Sequence, residues 1–278
     1  MKGWIIIVES GATKSDWRIT GAAPAQARLF PGMNVSTMPL DHVLGVLSDA
    51  LEALGRPELE GIYLYVAGIV TPPVREALEG RIRELVKVDE IDIQNDLVAA
   101  ARAVCGRSEG IVAILGTGSN TCFYDGKTVS QKVRSGGYII GDEGGGACLG
   151  KLFLADFIKG LVPEGVAADF ASKFDASYAG IVENVYRSPA PAGFLGSLAP
   201  FILSHYSDPY VKSLVDGNFQ SFVDRALRHY DTRRYPVGVV GGFGFACREI
   251  FSRICTENGL CIGGFEAAPI NGLLKYHN

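Results

Sequence analysis

Two short segments place glycine beside hydroxyl side chains directly after an apolar run. Gly11-Ala12-Thr13-Lys14-Ser15 follows Ile5–Val8 and offers two hydroxyls, a cation and a flexible backbone. Gly116-Thr117-Gly118-Ser119-Asn120 follows Ile111–Leu115 and offers two more hydroxyls and two glycines. Glycine lets backbone N–H donors approach a ligand closely, which is what a phosphate requires. One such turn is commonplace. Two of them, each straight after a buried strand, point to a phosphate clamp. Asn95-Asp96 sits where a strand gives way to a helix. A helix N-cap pair accounts for these residue types, and so does a carboxylate that takes a proton from a substrate hydroxyl. The stretch from Gly136 to Gly146 packs six glycines with Asp142 and Glu143 into eleven residues. That suits close approach to a polyhydroxy ligand held by acidic acceptors. Glu9, at the end of the first apolar run, could hold Mg²⁺ through water or be a solvated turn residue.

Two further segments resemble phosphate motifs without satisfying them. Thr121-Cys122-Phe123-Tyr124-Asp125-Gly126-Lys127-Thr128 begins with Thr instead of Gly. The residues after it alternate like a strand, whereas a P-loop must open a helix. Asp125-Gly126 reads better as a hairpin turn. Gly242-Phe243-Gly244-Phe245-Ala246-Cys247 follows a strand and precedes a helix, but the third glycine of a dinucleotide fingerprint is missing. It still suits a turn against which a base or ribose packs.

These groups need elements to hold them. Trp4–Val8 is a short β-branched run that reads as a buried strand, with Asp16–Thr20 returning as its hairpin partner. Leu40–Leu54 has helical spacing and stops at Gly55. Gly61–Val66 is a strand, Pro73–Val86 a helix with Pro in its first turn, Glu90–Ile93 a strand and Asp96–Val104 a helix. Alternation of this kind is α/β. A strand, a Gly/hydroxyl turn and a returning strand then recur at Ile111–Tyr124, roughly 100 residues on, as a duplicated fold would have it. The second half is more helical, with helices expected at 146–158, 163–174, 178–186, 195–205 and 209–230. Strands follow at Val237–Val240 and Leu260–Ile262, and helices at Ala246–Glu257 and Pro269–Tyr276. The pattern breaks near Arg102–Glu109.

Composition narrows the classes. The chain has 278 residues, with 26 Lys and Arg against 30 Asp and Glu, a net charge of −4. A mildly acidic surface argues against a nucleic-acid binder or a protein of anionic membranes. Hydrophobic residues make up 47% and charged residues 20%, enough for a core and too little charge for disorder. No apolar run approaches the roughly 18–20 residues that span a bilayer. The N-terminal run is too short for a signal-peptide core and is ended by Glu9, so a cytoplasmic protein is expected. Asn34-Val35-Ser36 fits a glycosylation acceptor, which matters only in a secreted chain. The six cysteines (105, 122, 148, 247, 255 and 261) contain no CxxC pair, and the four histidines no HExxH. Free, mostly buried thiols are expected.

Five motifs stand in order: Glu9-Ser10-Gly11-Ala12-Thr13-Lys14-Ser15-Asp16-Trp17, Asn95-Asp96, Gly116-Thr117-Gly118-Ser119-Asn120, Gly141-Asp142-Glu143-Gly144-Gly145-Gly146 and Val240-Gly241-Gly242-Phe243-Gly244. In this order they resemble the N-acetylglucosamine kinase and BadF/BadG/BcrA/BcrD-type ATPase family, over residues 5 to 273. The resemblance implies a two-domain actin/hexokinase-like (ribonuclease H-like) ATPase fold with an interdomain cleft. The domains would be 1–105, with the C-terminal helix 266–278 packed back on it, and 106–265 with a helical insertion. ATP would be held by Gly11, Thr13, Lys14 and Ser15, by Thr117, Gly118 and Ser119, and at the adenosine by Gly241, Gly242 and Gly244. The two phosphate turns would face each other over the triphosphate. Asp96 would be the base, with Asn34, Asn95, Asp96, Asn120, Gly137, Tyr138, Asp142 and Glu143 at the sugar and Glu9 at Mg²⁺. A homodimer and an N-acetylated amino sugar substrate are also implied. Other members of the superfamily are ATP-driven activators of a redox partner, with a shared iron–sulfur cluster, and a sugar sensor without turnover is a third reading. The sequence departs from the family in having Glu9 where Asp is usual, which moves the carboxylate by about 1–1.5 Å. The Gly141 loop is also shorter on its N-terminal side than in the animal kinases.

Overall fold

The computed structural model of the chain describes residues 4–11, 14–21, 25–68 and 70–278. Thr13 of the first phosphate turn lies outside them. Two compact units emerge: 1–107 together with 269–278, and 108–268.

The first unit opens with a meander of β1 (Trp4–Ser10), β2 (Lys14–Thr20) and β3 (Gln26–Pro31), each antiparallel to the next. Helix α1 (Leu40–Ala53) leads to β4 (Leu59–Val66), α2 (Pro72–Leu85) to β5 (Val88–Asn95), and α3 (Asp96–Cys105) follows. The sheet order is β3-β2-β1-β4-β5, with β1, β4 and β5 parallel. The successive apolar residues Ile6, Ile7 and Val8 of β1 are all fully buried, as expected of a central strand covered on both faces. On α1, Val43, Val46, Leu47, Ala50 and Leu51 form the buried stripe of a surface helix. Strand β3 carries no sequence signal, because its side chains are mostly exposed. Its partner's open edge makes it a strand.

The second unit repeats the plan with β6 (Glu109–Leu115), β7 (Ser119–Asp125) and β8 (Val129–Val133). A helical insertion follows: α4 (Gly137–Ile140), α5 (Gly146–Phe157), α6 (Glu164–Lys173), α7 (Tyr178–Val182), a π-helical turn at Glu183–Arg187, α8 (Pro191–Ser197), α9 (Ala199–Ser204) and α10 (Pro209–Arg225). Strand β9 (Val237–Val240), helices α11 (Gly242–Ala246) and α12 (Arg248–Glu257) and strand β10 (Ile262–Glu266) complete it. The sheet order β10-β9-β6-β7-β8 is that of the first unit read from its other edge. Each unit has its own apolar core: one around Ile6, Trp17, Leu47 and Ile62, the other around Leu115, Phe153, Phe219 and Phe251. Helix α13 (Pro269–His277) belongs to the first unit and packs on α3 and β1.

Several expected elements differ, among them the helix expected over 209–230, which ends at Arg225 ahead of a 3-10 turn at Leu227–His229. The helix expected over 195–205 is two helices, because Pro200 lacks the N–H that would continue the ladder. The helix expected over 178–186 widens into the π-helical turn. The last strand lies at Ile262–Glu266, not Leu260–Ile262. Its parallel pairing with β9 overrides the two glycines within it.

Candidate functional site

In the first unit the candidate groups gather at the carboxyl-terminal edge of the parallel strands, where open α/β sheets bind ligands. Ser10, Val66 and Asn95 share one row of the sheet. Asn95 ends β5 and caps α3, its Oδ1 accepting from the Val98 N–H at 3.0 Å. That cap makes Asp96 the first residue of α3, where the helix terminus favours a carboxylate. Glu9 stands opposite Asp16 across the β1–β2 pair. Burial, followed by the charges of Asp16 and Asp96, pushes the Glu9 carboxyl up from 4.5 to about 7, with Lys14 opposing. Asp16 is answered by the Arg18 guanidinium in two bonds of 2.7 and 2.8 Å.

Glu9 is therefore a carboxylate that a cation would stabilise. Among the described residues no group of three or more His, Cys, Asp or Glu side chains is gathered to hold a metal ion. Mg²⁺ does not need such a cage, since it usually takes one or two carboxylates along with waters and phosphate oxygens. Glu9 fits that donor set.

The other groups at this edge are tied into the protein. Asn34 bridges to Ala67, and its Oδ1 accepts from the Ser36 N–H at 3.0 Å. The Gly11 N–H donates to the Lys14 carbonyl at 3.0 Å, which closes the turn between β1 and β2. Ser15 is buried. Its hydroxyl donates to the Pro31 carbonyl and accepts from the Trp17 indole, each at 2.9 Å, so its one proton is already used. The exposed Lys14 is left as the cation of this turn.

In the second unit the β6–β7 turn is built into the start of α5. The Gly146 N–H donates to the Gly116 carbonyl at 2.9 Å, and the Ala147 N–H to the Thr117 carbonyl at 2.8 Å. Asp142 locks the turn from the side. Its buried carboxylate lies against Gly118, and burial raises its pKa, opposed by the neighbouring Ser119 N–H and Ser135 hydroxyl. A Cβ on Gly118 would stand 2.5 Å from Asp142 Oδ2, so any larger residue would have to displace that carboxylate. The sugar-directed residues of this unit divide into two places. Asn120 and Glu143 line a small cavity of about 30 Å³ with Arg134 and Arg225, and Glu143 pairs with Arg225 at 2.7 Å. Tyr138, beside Gly137 on α4, lines a different and larger apolar cavity.

The three adenosine-turn glycines also differ in kind. Gly241, at φ +124°, and Gly244 are required by packing: Cβ atoms there would lie 2.4 Å from the Leu115 carbonyl and 2.9 Å from the Leu115 side chain. Gly242 has open space where its Cβ would be. No described atom requires a glycine there, and the bare backbone is open to a ligand.

Asn218, which the sequence reading did not single out, supports the Gly144–Gly145 turn. It is buried on α10, accepts from the Gly144 N–H at 3.0 Å and donates to the Gly145 carbonyl at 3.3 Å. Its signal was available as an amide on the apolar stripe Val211, Val215, Phe219, Phe222. The cysteines are free: Cys122, Cys148, Cys247 and Cys255 are buried, Cys105 half-buried and Cys261 exposed.

No protein-family profile matches the chain. A Clostridium acetobutylicum N-acetylmuramic acid/N-acetylglucosamine kinase is 29% identical over 220 residues, which is 73% of this chain and 71% of the relative. The crystal structure of a Porphyromonas gingivalis protein assigned as an N-acetylglucosamine kinase is 37% identical, covers 98% of both chains and superposes with a TM-score of 0.88. A Streptomyces griseus ROK family glucokinase, solved with glucose and AMPPNP, shares the fold at 15% identity and a TM-score of 0.56, over 99% of this chain and 98% of its own. With two sheets of one topology, a glycine turn at the edge of each, and 37% identity along nearly its whole length, the chain belongs to the N-acetylglucosamine kinase family, on the actin/hexokinase-like ATPase fold.

Proposed function

We propose that this protein transfers the γ-phosphoryl group of ATP to a hydroxyl of an N-acetylated amino sugar, with Asp96 as the base. The observation that carries the base assignment is the position of Asp96. It is the first residue of α3, one residue past the Ser10–Val66–Asn95 row, fixed there by the Asn95 cap. The family relationship supports the reaction, and the AMPPNP complex of a protein of the same fold supports the nucleotide.

The chemistry is mostly positioning and charge neutralisation. Asp96 takes the proton of the attacking hydroxyl as that oxygen bonds to the γ-phosphorus. The bond to the β–γ bridging oxygen breaks and ADP leaves. Thr117, Gly118 and Ser119 present the second unit's turn to the phosphates, and Lys14 supplies a cation from the first unit's turn. Gly242 lets the adenosine lie against bare backbone. Mg²⁺, held beside Glu9, would neutralise phosphate charge when bound. Asn34, Asn120 and Glu143 are the proposed sugar contacts, and a cytoplasmic homodimer is the proposed working form.

Asp96→Asn tests the base. The variant should keep the wild-type melting temperature and lose kcat by about 100-fold or more, the usual worth of a positioned base. Turnover within about threefold of wild type would remove Asp96 from the role. ADP release across N-acetylglucosamine, glucosamine and N-acetylmuramic acid identifies the sugar.

A further inference from the structure

A second cavity lies within the 108–268 unit, away from the Asn120–Glu143 cavity. It measures about 380 Å³, inside the range of small-molecule sites. Its walls are α4, α5, the α7–π-turn segment and α8, and its lining is apolar and aromatic, with Tyr138, Ile158, Tyr178, Tyr186 and Leu195 among the residues. Tyr178 and Tyr186 are 73% and 79% exposed, so two large rings stand beside it with little cover. Among the described residues, Lys151 is the one formally charged member of the lining. Its ammonium donates to the Tyr138 carbonyl at 3.0 Å and the Ile139 carbonyl at 3.2 Å, which accounts for two of its three donors. Among the described residues no carboxylate lines the cavity. A monosaccharide would find too few polar partners here. A flat apolar body with one negative charge would find both parts of its chemistry answered.

Three of these walls also touch the β6–β7 turn. Helix α4 runs directly into Gly141 and Asp142, whose carbonyl accepts from the Gly145 N–H and whose carboxylate lies against Gly118 of the turn. Helix α5 begins with the two N–H donors that hold Gly116 and Thr117, one turn before Lys151. On α8, Leu195 lines the cavity while the next residue, Gly196, packs on the Thr117 side chain, with 3.0 Å from its Cβ position to Thr117 Cγ2.

We propose that this cavity is an effector site for a small amphipathic anion, an aromatic or aliphatic body carrying a carboxylate or sulfonate, and that its occupancy is felt at the phosphate turn. The site stands or falls independently of the kinase reading, because its first test is binding.

The probes are 8-anilinonaphthalene-1-sulfonate, an anion, and N-phenyl-1-naphthylamine, its neutral counterpart, titrated by fluorescence into the full chain. Saturable binding of the anion at one site per chain is expected. Ala155→Trp, which fills the cavity, should abolish it while the melting temperature holds. Lys151→Met should weaken the anion by about tenfold, within the worth of a charge-assisted contact, and leave the neutral probe unchanged. Saturating anion should shift the KM for ATP by about fivefold, a typical coupling, and Ala155→Trp should cancel the shift. The proposal is overturned if Ala155→Trp leaves binding intact, if Lys151→Met weakens both probes equally, or if N-acetylglucosamine displaces the anion. An unchanged KM for ATP overturns the effector role. A dimer that Tyr186→Ser dissociates, with no probe binding, assigns the patch to a second copy and also overturns it.

Discussion

At the scale of single residues, the buried carboxylate is the most informative group. The ordinary Glu9 value of 4.5 is raised to about 7 by burial and by Asp16 and Asp96. A folded-state value above the unfolded one means that ionisation opposes folding. The cost is absent below pH 4.5, grows as pH rises through the window to about 7, and is constant above it. Glu9→Gln should therefore be more stable than wild type at pH 8 without Mg²⁺, by up to about 3 kcal/mol. The gain should vanish towards pH 4.5. Urea unfolding at both pH values checks this, and an equal gain at both would remove the charge from the account. The glycines give a second contrast. Gly242→Ala meets open space and should unfold like wild type while raising the KM for ATP. Gly118→Ala drives a methyl into the Asp142 carboxylate and should cost about 1–3 kcal/mol of stability. Melting curves beside ATP saturation curves separate the two.

At the scale of elements, the cap between β5 and α3 links stability to the candidate base. Asn95→Ala removes the acceptor of the Val98 N–H and should cost about 1 kcal/mol, whereas Asn95→Asp should nearly restore it. Circular dichroism melts of the two variants give the comparison, and equal losses would show that the cap is not what matters at Asn95. This junction was legible in the sequence, because an Asn-Asp pair between a β-branched run and an Ala-rich run has few other readings. The central strands were legible for a similar reason, since Ile6-Ile7-Val8 and Ile111-Val112-Ala113 are apolar without interruption. What stayed hidden depends on partners distant in sequence. Strand β3 exists because β2 has a free edge, and β10 because β9 pairs with it through two glycines. Ser15 looked like a phosphate hydroxyl because its type and spacing were right. Only the neighbouring Pro31 carbonyl and Trp17 indole show its proton to be spent. Gly118 and Gly242 look alike in sequence, and only their surroundings separate a packing requirement from an open backbone.

At the scale of the whole molecule, the chain builds one strand order twice and then returns to the first unit with its last helix. Helix α13 seats on α3 closely enough that a Cβ on Gly272 would lie 2.3 Å from the Ala103 carbonyl. Its end stacks His277 on Tyr63 at 3.7 Å between ring centres, and His277 Nε2 meets the Tyr65 hydroxyl at 2.8 Å. Tyr65 also accepts from Arg102 at 2.8 Å, and Arg102 lies over the Tyr276 ring at 5.0 Å. Burial, and then Arg102, lower the His277 value from 6.5 to about 4. A base with a lowered folded-state value stabilises fully above pH 6.5 and loses that contribution as pH falls through about 4. The helix is part of the first unit, and acid should loosen it first. Ending the chain at Ala268 should raise amide hydrogen exchange in β1, α3 and β4 and leave β6, β9 and α12 at their native protection, since the second core contains no residue of α13. Gly272→Val should reproduce the same pattern in the full-length chain by forcing the helix off Ala103. Exchange rising equally in both units would mean that the two cores unfold as one, and that the last helix stabilises the entire chain.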